Sequence, residues 1–475
     1  MQQDLILDGR SEGVAGLRFA SFPPGYGDAP ESGNTPGSGN TPESGNTAGS
    51  GEGGPGTADA RTANWIDAVR LGFYDQRADP ADRKAMMDAF VRDGRTLTAV
   101  YDDEAPGHAW DPAVPVATYA SMTNVLNVGG GSLLPAHLIT AVTVRPTHRR
   151  RGILRAMISP DLRAARDSGL ALAALTASEA TIYGRFGFGP ATSTADIKVD
   201  TRGGLEFTTP PGGSVAVADN GRIPALAPEI YRKHLARTFG ALGRQHGYWM
   251  RASGAWSEGS QEPDKALRVV LRYDADGVPD GYAAYKSLGW QNEPHTVRVT
   301  DLVAASDDAY RDLWRYLGSL DLVDRLTFGA APLADPLPWM LADRRRYQVT
   351  GVDDVLWLRI LDPRAALEAR HYTGDGAVVL TVKDPMGLAQ GTWLLTVDGG
   401  RGRVTAVQGA NAEGLAAAGI PAVELDIQAL GSLYLGGVSA PTLAAAGGLR
   451  GSGEGLAVLD ALFTAGPAPY CSTHF

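Results

Sequence analysis

The apolar positions of this chain recur with two different periods, and the changes between them outline its elements. A four-residue spacing over Trp65, Val69 and Phe73 puts three large side chains on one helical face. Asp79-Pro80 then opens a second helix through Met86, Met87, Phe90 and Val91, closed by Gly94. Strand-like runs follow at 97–101, 115–122 and 137–144, then a helix over 152–168, a strand over 171–176 and a helix over 178–186. With an opening strand at 13–20, that order predicts a mixed α/β domain. The style repeats over 215–347, with strands at 267–273, 281–287 and 297–304 and a helix at 307–320. A third pattern starts near Val355, with a helix at 364–369, strands at 378–382, 392–397 and 403–408, and helices at 427–433, 442–446 and 455–463. The last ten residues, GPAPYCSTHF, read as an irregular tail with no core role.

One stretch fits neither period. Residues 24–57 are mostly Gly, Ser, Asn, Thr, Pro and Glu, and SGNT starts at Ser32, Ser38 and Ser44. A stacked hexapeptide fold needs an apolar residue in each repeat, and these have none. The composition predicts a solvated loop inserted into the first domain. The expected organisation is therefore an N-terminal strand in 1–23, an insert over 24–58, and domains over 59–204, 205–352 and 353–475.

Composition narrows the function. A chain of 475 residues with 44% hydrophobic and 20% charged residues is long enough for about three domains and too apolar for wholesale disorder. No run of about 18 apolar residues exists to span a membrane. The start lacks the basic and apolar regions of a signal peptide, and Cys471 is the only cysteine, so a cytoplasmic location is expected. A net charge of −10 argues against general nucleic-acid binding and suits a cationic small molecule. The eight histidines show no metal-ligand spacing, and no nucleophile elbow appears, so no metal is expected. Asp75 and Glu104 read as solvated surface acids, with help in holding a polycation as the alternative.

Two segments carry chemistry. In Leu138–Met157, LITAVTVRPTHRRRGILRAM, an apolar strand meets Pro146, a basic turn, and Gly152 at the head of a helix. Free N–H groups at a helix start suit a phosphate. Arg149, Arg150 and Arg151 add guanidiniums, and Gly152 permits close backbone approach. A solvated basic turn is the alternative. In Ser178–Gly189, SEATIYGRFGFG, Tyr183, Phe186 and Phe188 are core aromatics or line a ligand at a strand end. Ser178 and Glu179 read as helix-start residues whose side chains satisfy free N–H groups.

These residues resemble a known superfamily. Arg149–Leu154 is similar to the acetyl-CoA pyrophosphate turn of the GNAT acetyltransferases, (Q/R)-x-x-G-x-(G/A), with Leu154 departing at the last position. Tyr183–Phe188 resembles their later Tyr-x-(Arg/Lys)-x-Gly-Phe segment. The Eis-type (enhanced intracellular survival) acetyltransferases are closer, sharing strings like those at Val142–Gly152, Ser178–Thr192, Leu356–Ile360 with Ala366–Tyr372, and Leu430–Gly437. The likeness covers about 61–475 and leaves out the insert. It implies a mixed α/β (α+β) chain of two tandem GNAT-type domains followed by a sterol-carrier-protein-like domain. It also implies multisite acetylation of aminoglycoside amines by acetyl-CoA, and a homohexamer.

By the same resemblance, Val142, Thr143 and Val144 hold the acetyl and pantetheine through main-chain bonds. Arg150, Arg151, Gly152, Ile153, Leu154 and Arg155 wrap the pyrophosphate, and Ser178 and Glu179 line the cofactor end. Tyr183 is the proton donor, and the C-terminal carboxylate of Phe475 is the acceptor. His474, which matches no role in the family, adjoins Phe475 as a competing base. At reference values a phenol lies about 1.5 units above a thiol, so proton transfer to the thiolate costs roughly 2 kcal/mol. Laying Val142 over Leu302 puts Asp312 on Gly152, Ala309 on Arg149 and Tyr310 on Arg150, which predicts a second copy that binds no CoA. Acylation of protein lysines or other small amines, and a non-catalytic lipid- or partner-binding module, stay open as alternatives.

Overall fold

The computed structural model describes residues 14, 16–26, 58–408, 415, 417–464 and 466–475. They form two compact units, one of residues up to 120 together with 141–154, the other of 121–140 with 155–475.

The first unit opens with β1 (Leu17–Phe22), α1 (Ala60–Gly72), α2 (Pro80–Arg92) and β2 (Thr96–Asp102). Asp59 caps α1 by accepting from the Thr62 N–H, and Asp79 caps α2 ahead of Pro80. β1 and β2 pair antiparallel, from Leu17 opposite Asp102 to Phe22 opposite Leu97. Trp65, Ile66, Met87, Phe90 and Leu97 fill the core between helices and strands. The Trp65 indole N–H donates to Thr98 O at 2.8 Å. Phe73 does not share the face expected of it: it follows the last turn of α1 and is 54% exposed.

Most of the inserted segment lies outside the described residues, but its feet do not. Tyr26 and Ala58 form an antiparallel bridge, Asp59 N–H donates to Gly25 O (3.0 Å), and Gly25 N–H donates to Thr62 Oγ1 (3.1 Å). Gly25 and Tyr26 thus belong to the body, which corrects the boundary drawn at 24. Because the feet are already paired, replacing residues 27–57 by a short hairpin turn is expected to shift the melting temperature by less than about 4 °C. Calorimetry of the two forms checks this.

β3 (Ala117–Asn127), β4 (Leu133–Val144) and α3 (Ile153–Asp167) each run from one unit into the other. The second unit continues with β5 (Leu172–Thr176), α4 (Ala180–Tyr183), β6 (Gly189–Pro190), β7 (Ser193–Asp200), β8 (Ser214–Val217), α5 (Ile223–Arg237) and α6 (His246–Ala252). Then come β9 (Arg268–Tyr273), β10 (Pro279–Ser287), β11 (Thr296–Ala304), α7 (Asp307–Gly318), β12 (Arg325–Pro332), α8 (Leu337–Met340), β13 (Tyr347–Asp354) and β14 (Leu356–Ile360). In this unit β4 and β5 pair in parallel, and β14 lies antiparallel between β5 and β6. A seven-stranded sheet follows in the order β13-β7-β12-β11-β10-β9-β8, with one core under α7 and another under α5. α9 (Pro363–Ala369) leads to a five-stranded sheet of β15 (Gly376–Lys383), β16 (Gly391–Asp398), β17 (Arg401–Ala406), β18 (Ala422–Asp426) and β19 (Leu449–Gly451), ordered β17-β16-β15-β18-β19. Helices at Ile427–Leu433, Ala440–Ala445 and Gly453–Thr464 complete it.

Two strands sit across the expected boundaries. β7 precedes 204 yet is paired with β12 and β13, and β14 follows 352 yet is paired with β5. Hydrophobic period reveals that a strand exists; it does not reveal which partner completes its ladder. Arg359 of β14 shows how closely the exchanged strand is bound. It is fully buried, and its Nη2 donates to Asp384 at 2.8 Å.

The expected superposition of Asp312 on Gly152 fails in detail. β11 ends at Ala304 and α7 starts at Asp307, so two residues stand where β4 and α3 are joined by eight. Asp312 lies inside α7, buried and bonded to Arg272. The basic turn is absent from the second copy, rather than occupied by a carboxylate.

Candidate active site

The basic turn is built from β4 outward within the first unit. Ala141 takes a left-handed φ of 52°, kinking the strand just before Val142–Val144. The Thr118 hydroxyl donates to Ala141 O at 2.9 Å and so accepts from Thr143 at 2.7 Å, which ties the backbone at that point to β3. Gly72 is required opposite: a β-carbon there would stand 2.5 Å from the Thr143 side chain. After Val144, Pro146–His148 makes one turn of 3-10 helix. The His148 Nε2–H donates to Asp102 at 3.0 Å, and Thr147 donates to Nδ1 at 2.8 Å. The bond from His148 holds the Asp102 carboxyl below its usual range. Arg145 turns back beneath the loop, donating to Val114 O and lying over the Trp110 ring at 4.7 Å.

What remains exposed is Arg149–Gly152. Arg149 Nε donates to Val144 O at 3.3 Å, closing the turn on its strand. Arg150 is held at φ 65° and Gly152 at 81°. A left-handed arginine costs about 1–2 kcal/mol, and strain of this kind collects at ligand sites. Arg150 makes no hydrogen bond or ion pair with any described residue, and its side chain is exposed. Buried Ile153 then anchors the start of α3, and Leu154 is half-buried. The opening N–H groups of that helix have no partner within it. Exposed cations, free N–H groups and a glycine without a side chain fit a diphosphate.

In the second unit the structure gathers the other expected residues at the end of β5. The β4–β5 ladder runs from Ala136–Leu172 to Ile139–Leu175 and leaves Thr176 beyond it. The Thr176 hydroxyl donates to a carboxylate oxygen of Phe475 at 2.9 Å and accepts from its N–H at 3.4 Å. Residues 299 positions apart thus meet at one strand end. Ser178 and Glu179 follow at once. Both are exposed, and Glu179 occupies the cap position of α4 without a capping bond, which corrects the reading of these side chains as caps. Arg155, on the first turn of α3, is also exposed.

Tyr183 ends α4 and is buried, edge-on to Phe188 with ring centres 6.4 Å apart. Its hydroxyl bonds to no described residue. Burial, reinforced by Glu179, pushes its pKa up to about 12. The gap to a reference thiol becomes about 3.5 units, on the order of 5 kcal/mol, rather than the 2 expected from reference values. Gly187, at φ 82°, lets the motif pack against Arg359: a β-carbon there would overlap that guanidinium.

The tail is irregular, as expected, but it is not without a core role. Cys471 and Thr473 are 1% and 0% exposed, and Thr473 Oγ1 bonds to Tyr231 at 3.0 Å. The His474 side chain reaches solvent, while its partly desolvated imidazole titrates below the usual histidine range. Asp75 is taken by Arg70 at 3.2 Å. Sequence reasoning missed the tail's anchors Tyr231, Arg244 and Tyr248, which carry no motif.

Comparison with known proteins identifies three domains along the chain. Residues 57–191 and 240–360 match acetyltransferase (GNAT) domain families, and 363–472 match the sterol carrier protein domain. An N-acetyltransferase Eis of Mycobacterium tuberculosis is 38% identical over 355 residues, 74% of this chain and 82% of its own.

The chain belongs to the Eis-type GNAT N-acetyltransferases.

An uncharacterized N-acetyltransferase of Streptomyces avermitilis is 35% identical over 88% of this chain and 97% of its own. The crystal structure of Eis1 from Mycobacterium abscessus superposes with a TM-score of 0.70 at 32% identity, covering 88% of this chain and 96% of that one. The chain is thus an N-acetyltransferase with two GNAT domains and a sterol-carrier-like domain. GNAT domains imply acetyl-CoA as the acyl donor. Among the described residues no helix is long and apolar enough to cross a membrane.

Proposed function

We propose that this Eis-type acetyltransferase transfers acetyl groups from acetyl-CoA to amines of aminoglycoside-like polycationic small molecules, at several positions. The observation that carries the reading is the Phe475 carboxylate, which Thr176 holds at the end of β5, seven residues before Tyr183. A carboxylate with pKa near roughly 3.5 is a poor base for an ammonium ion. It serves instead as an acceptor that orients an already neutral amine. Tyr183 supplies the proton for the leaving thiolate. Burial raises a thiol's pKa as it raises the phenol's, so the gap between them narrows in the site. Val142, Thr143 and Val144 hold the acetyl and pantetheine, and Arg150, Arg151, Gly152, Ile153, Leu154 and Arg155 the diphosphate. Ser178 and Glu179, free of capping bonds, line the cofactor end. No role falls to a metal.

A net charge of −10 supports a cationic acceptor over a nucleic acid. The same residues would also serve a protein lysine, so an acceptor panel with thiol detection decides: rapid turnover of polyamines and slow turnover of lysine peptides is expected. A cytoplasmic homohexamer is part of the proposal, and light scattering of the enzyme tests the assembly. Arg150→Ala with Arg151→Ala removes two charge-assisted contacts worth roughly 1.5–3 kcal/mol each. The KM for acetyl-CoA is expected to rise by about tenfold or more. An unchanged value would move the diphosphate elsewhere.

A further inference from the structure

The second GNAT domain lacks the basic turn, yet it keeps the parting of strands that such a domain uses. The parallel ladder of β11 and β12 runs only from Thr296–Arg325 to Val299–Phe328, although β11 continues to Ala304 and β12 to Pro332. The chain's own end meets β12 past that point directly and β11 through an arginine. The Tyr470 hydroxyl donates to Ala330 O of β12 at 2.5 Å. On the β11 side, Asp301 takes a two-pronged bond from Arg244 at 2.7 and 2.9 Å, and the Arg244 Nη2 also donates to Ser472 Oγ at 3.3 Å. The Tyr282 hydroxyl donates to the same carboxylate at 2.7 Å. The Arg244 guanidinium lies over both the Tyr231 and the Tyr248 ring, 4.4 and 4.6 Å from their centres.

The next residues continue the series. Thr473 bonds to Tyr231 and to Leu242 O, the His474 N–H donates to the Tyr248 hydroxyl, and Phe475 meets Thr176. The backbone N–H of Tyr470 is held by Phe239 O at 2.8 Å. Tyr470 and every residue from Ser472 to Phe475 therefore have a polar contact to the body, where a chain end ordinarily frays. Gly240 keeps the path open: a β-carbon there would press on Pro469 at 2.9 Å.

We propose that the second domain acts as a clamp for the chain end, in which Arg244, fixed by Asp301 and lying over the Tyr231 and Tyr248 rings, is the positioning residue that sets where the Phe475 carboxylate stands. The domain has given up its donor turn and kept its open strand pair for the tail. The inference rests on the reading of Phe475 as the group that orients the amine. An arginine suits the post because its planar fork bonds Asp301 twice and still reaches Ser472 and both rings; a lysine offers one ammonium and cannot do all of this.

The test uses full-length enzyme, Tyr248→Phe and Arg244→Lys, neither of which removes a buried charge. Two quantities are measured: the rate at which a carboxypeptidase releases Phe475 from the native enzyme, and kcat with the KM values for amine and acetyl-CoA. Release is expected to quicken and kcat to fall, each by roughly tenfold or more, since small displacements of an oriented group are costly. The KM for acetyl-CoA should stay within about twofold, because the donor's residues lie elsewhere. Unchanged release in both variants overturns the clamp, whatever happens to kcat. Faster release with unchanged kcat overturns the positioning role through its premise, leaving a held tail whose carboxylate takes no part in turnover. Should Arg244→Lys fail to fold, Tyr248→Phe, which loses one hydroxyl and keeps the ring, decides alone.

Discussion

Tyr183→Phe is expected to lower kcat by about 10²–10⁴, the usual worth of a positioned acid, while leaving the KM for acetyl-CoA close to its original value. The phenyl ring preserves the edge-on contact with Phe188, and no described residue loses a hydrogen bond, so the fold has nothing to repair. The only thing removed is a proton donor. Its pKa of about 12 adds a second expectation, with a definite sign. The donor must be protonated to work, and it stays so until the pH approaches that value. The rate should therefore rise from pH 6 as the acceptor amine loses its proton, with no falling limb from Tyr183 up to about pH 10. A falling limb centred near pH 8 that disappears in Tyr183→Phe would mean a far more acidic phenol than its burial allows. Turnover close to that of the original enzyme would leave Tyr183 as a core aromatic.

Extending the chain beyond Phe475 is expected to cost as much. An added residue turns the Phe475 carboxylate into an amide, which neither carries charge nor accepts as strongly, and moves the new carboxylate away from Thr176. Deleting Phe475 leaves a carboxylate on His474, about 3.5 Å of chain short. Both forms should lose roughly 10²-fold or more in kcat, whereas an N-terminal extension should be tolerated. The changes must stop at Phe475, because Thr473 and Cys471 are buried and their loss would disturb the core. Thermal melting of each form separates the two effects. Full activity in the extended enzyme would transfer the acceptor role to His474, whose imidazole is already biased toward neutrality.

Much of this was legible in the chain because it depends on local pattern. The order strand, Pro146, basic turn, Gly152, helix is short-range, and the turn formed as read. So did α2, announced by Asp79-Pro80 and closed by Gly94 at φ 64°. What escaped was set by distant partners. α5 has Ile223, Ala227, Ile230, Tyr231, His234 and Leu235 buried at helical spacing, yet the sequence reading assigned no element to this stretch; of its two prolines, Pro224 sits where a helix tolerates it, in the opening turn. Ser178 and Glu179 resembled caps, yet both side chains point to solvent. The exchange of β7 and β14 between sheets has no signature in hydrophobic period at all. The anchoring of the tail depends on Tyr231, Arg244 and Tyr248, more than two hundred residues away, and GPAPYCSTHF by itself reads only as a terminus.

N-acetylation of a polycationic amine at more than one position is measured by mass spectrometry of the acceptor. The enzyme is incubated with acetyl-CoA and an aminoglycoside, and the product is followed over time beside the Tyr183→Phe form. Successive mass increments of one, two and more acetyl groups are expected, each matched by an equal amount of free thiol, and almost none with Tyr183→Phe. Thiol release without acetylated aminoglycoside, or acetylation undiminished in Tyr183→Phe, would contradict it.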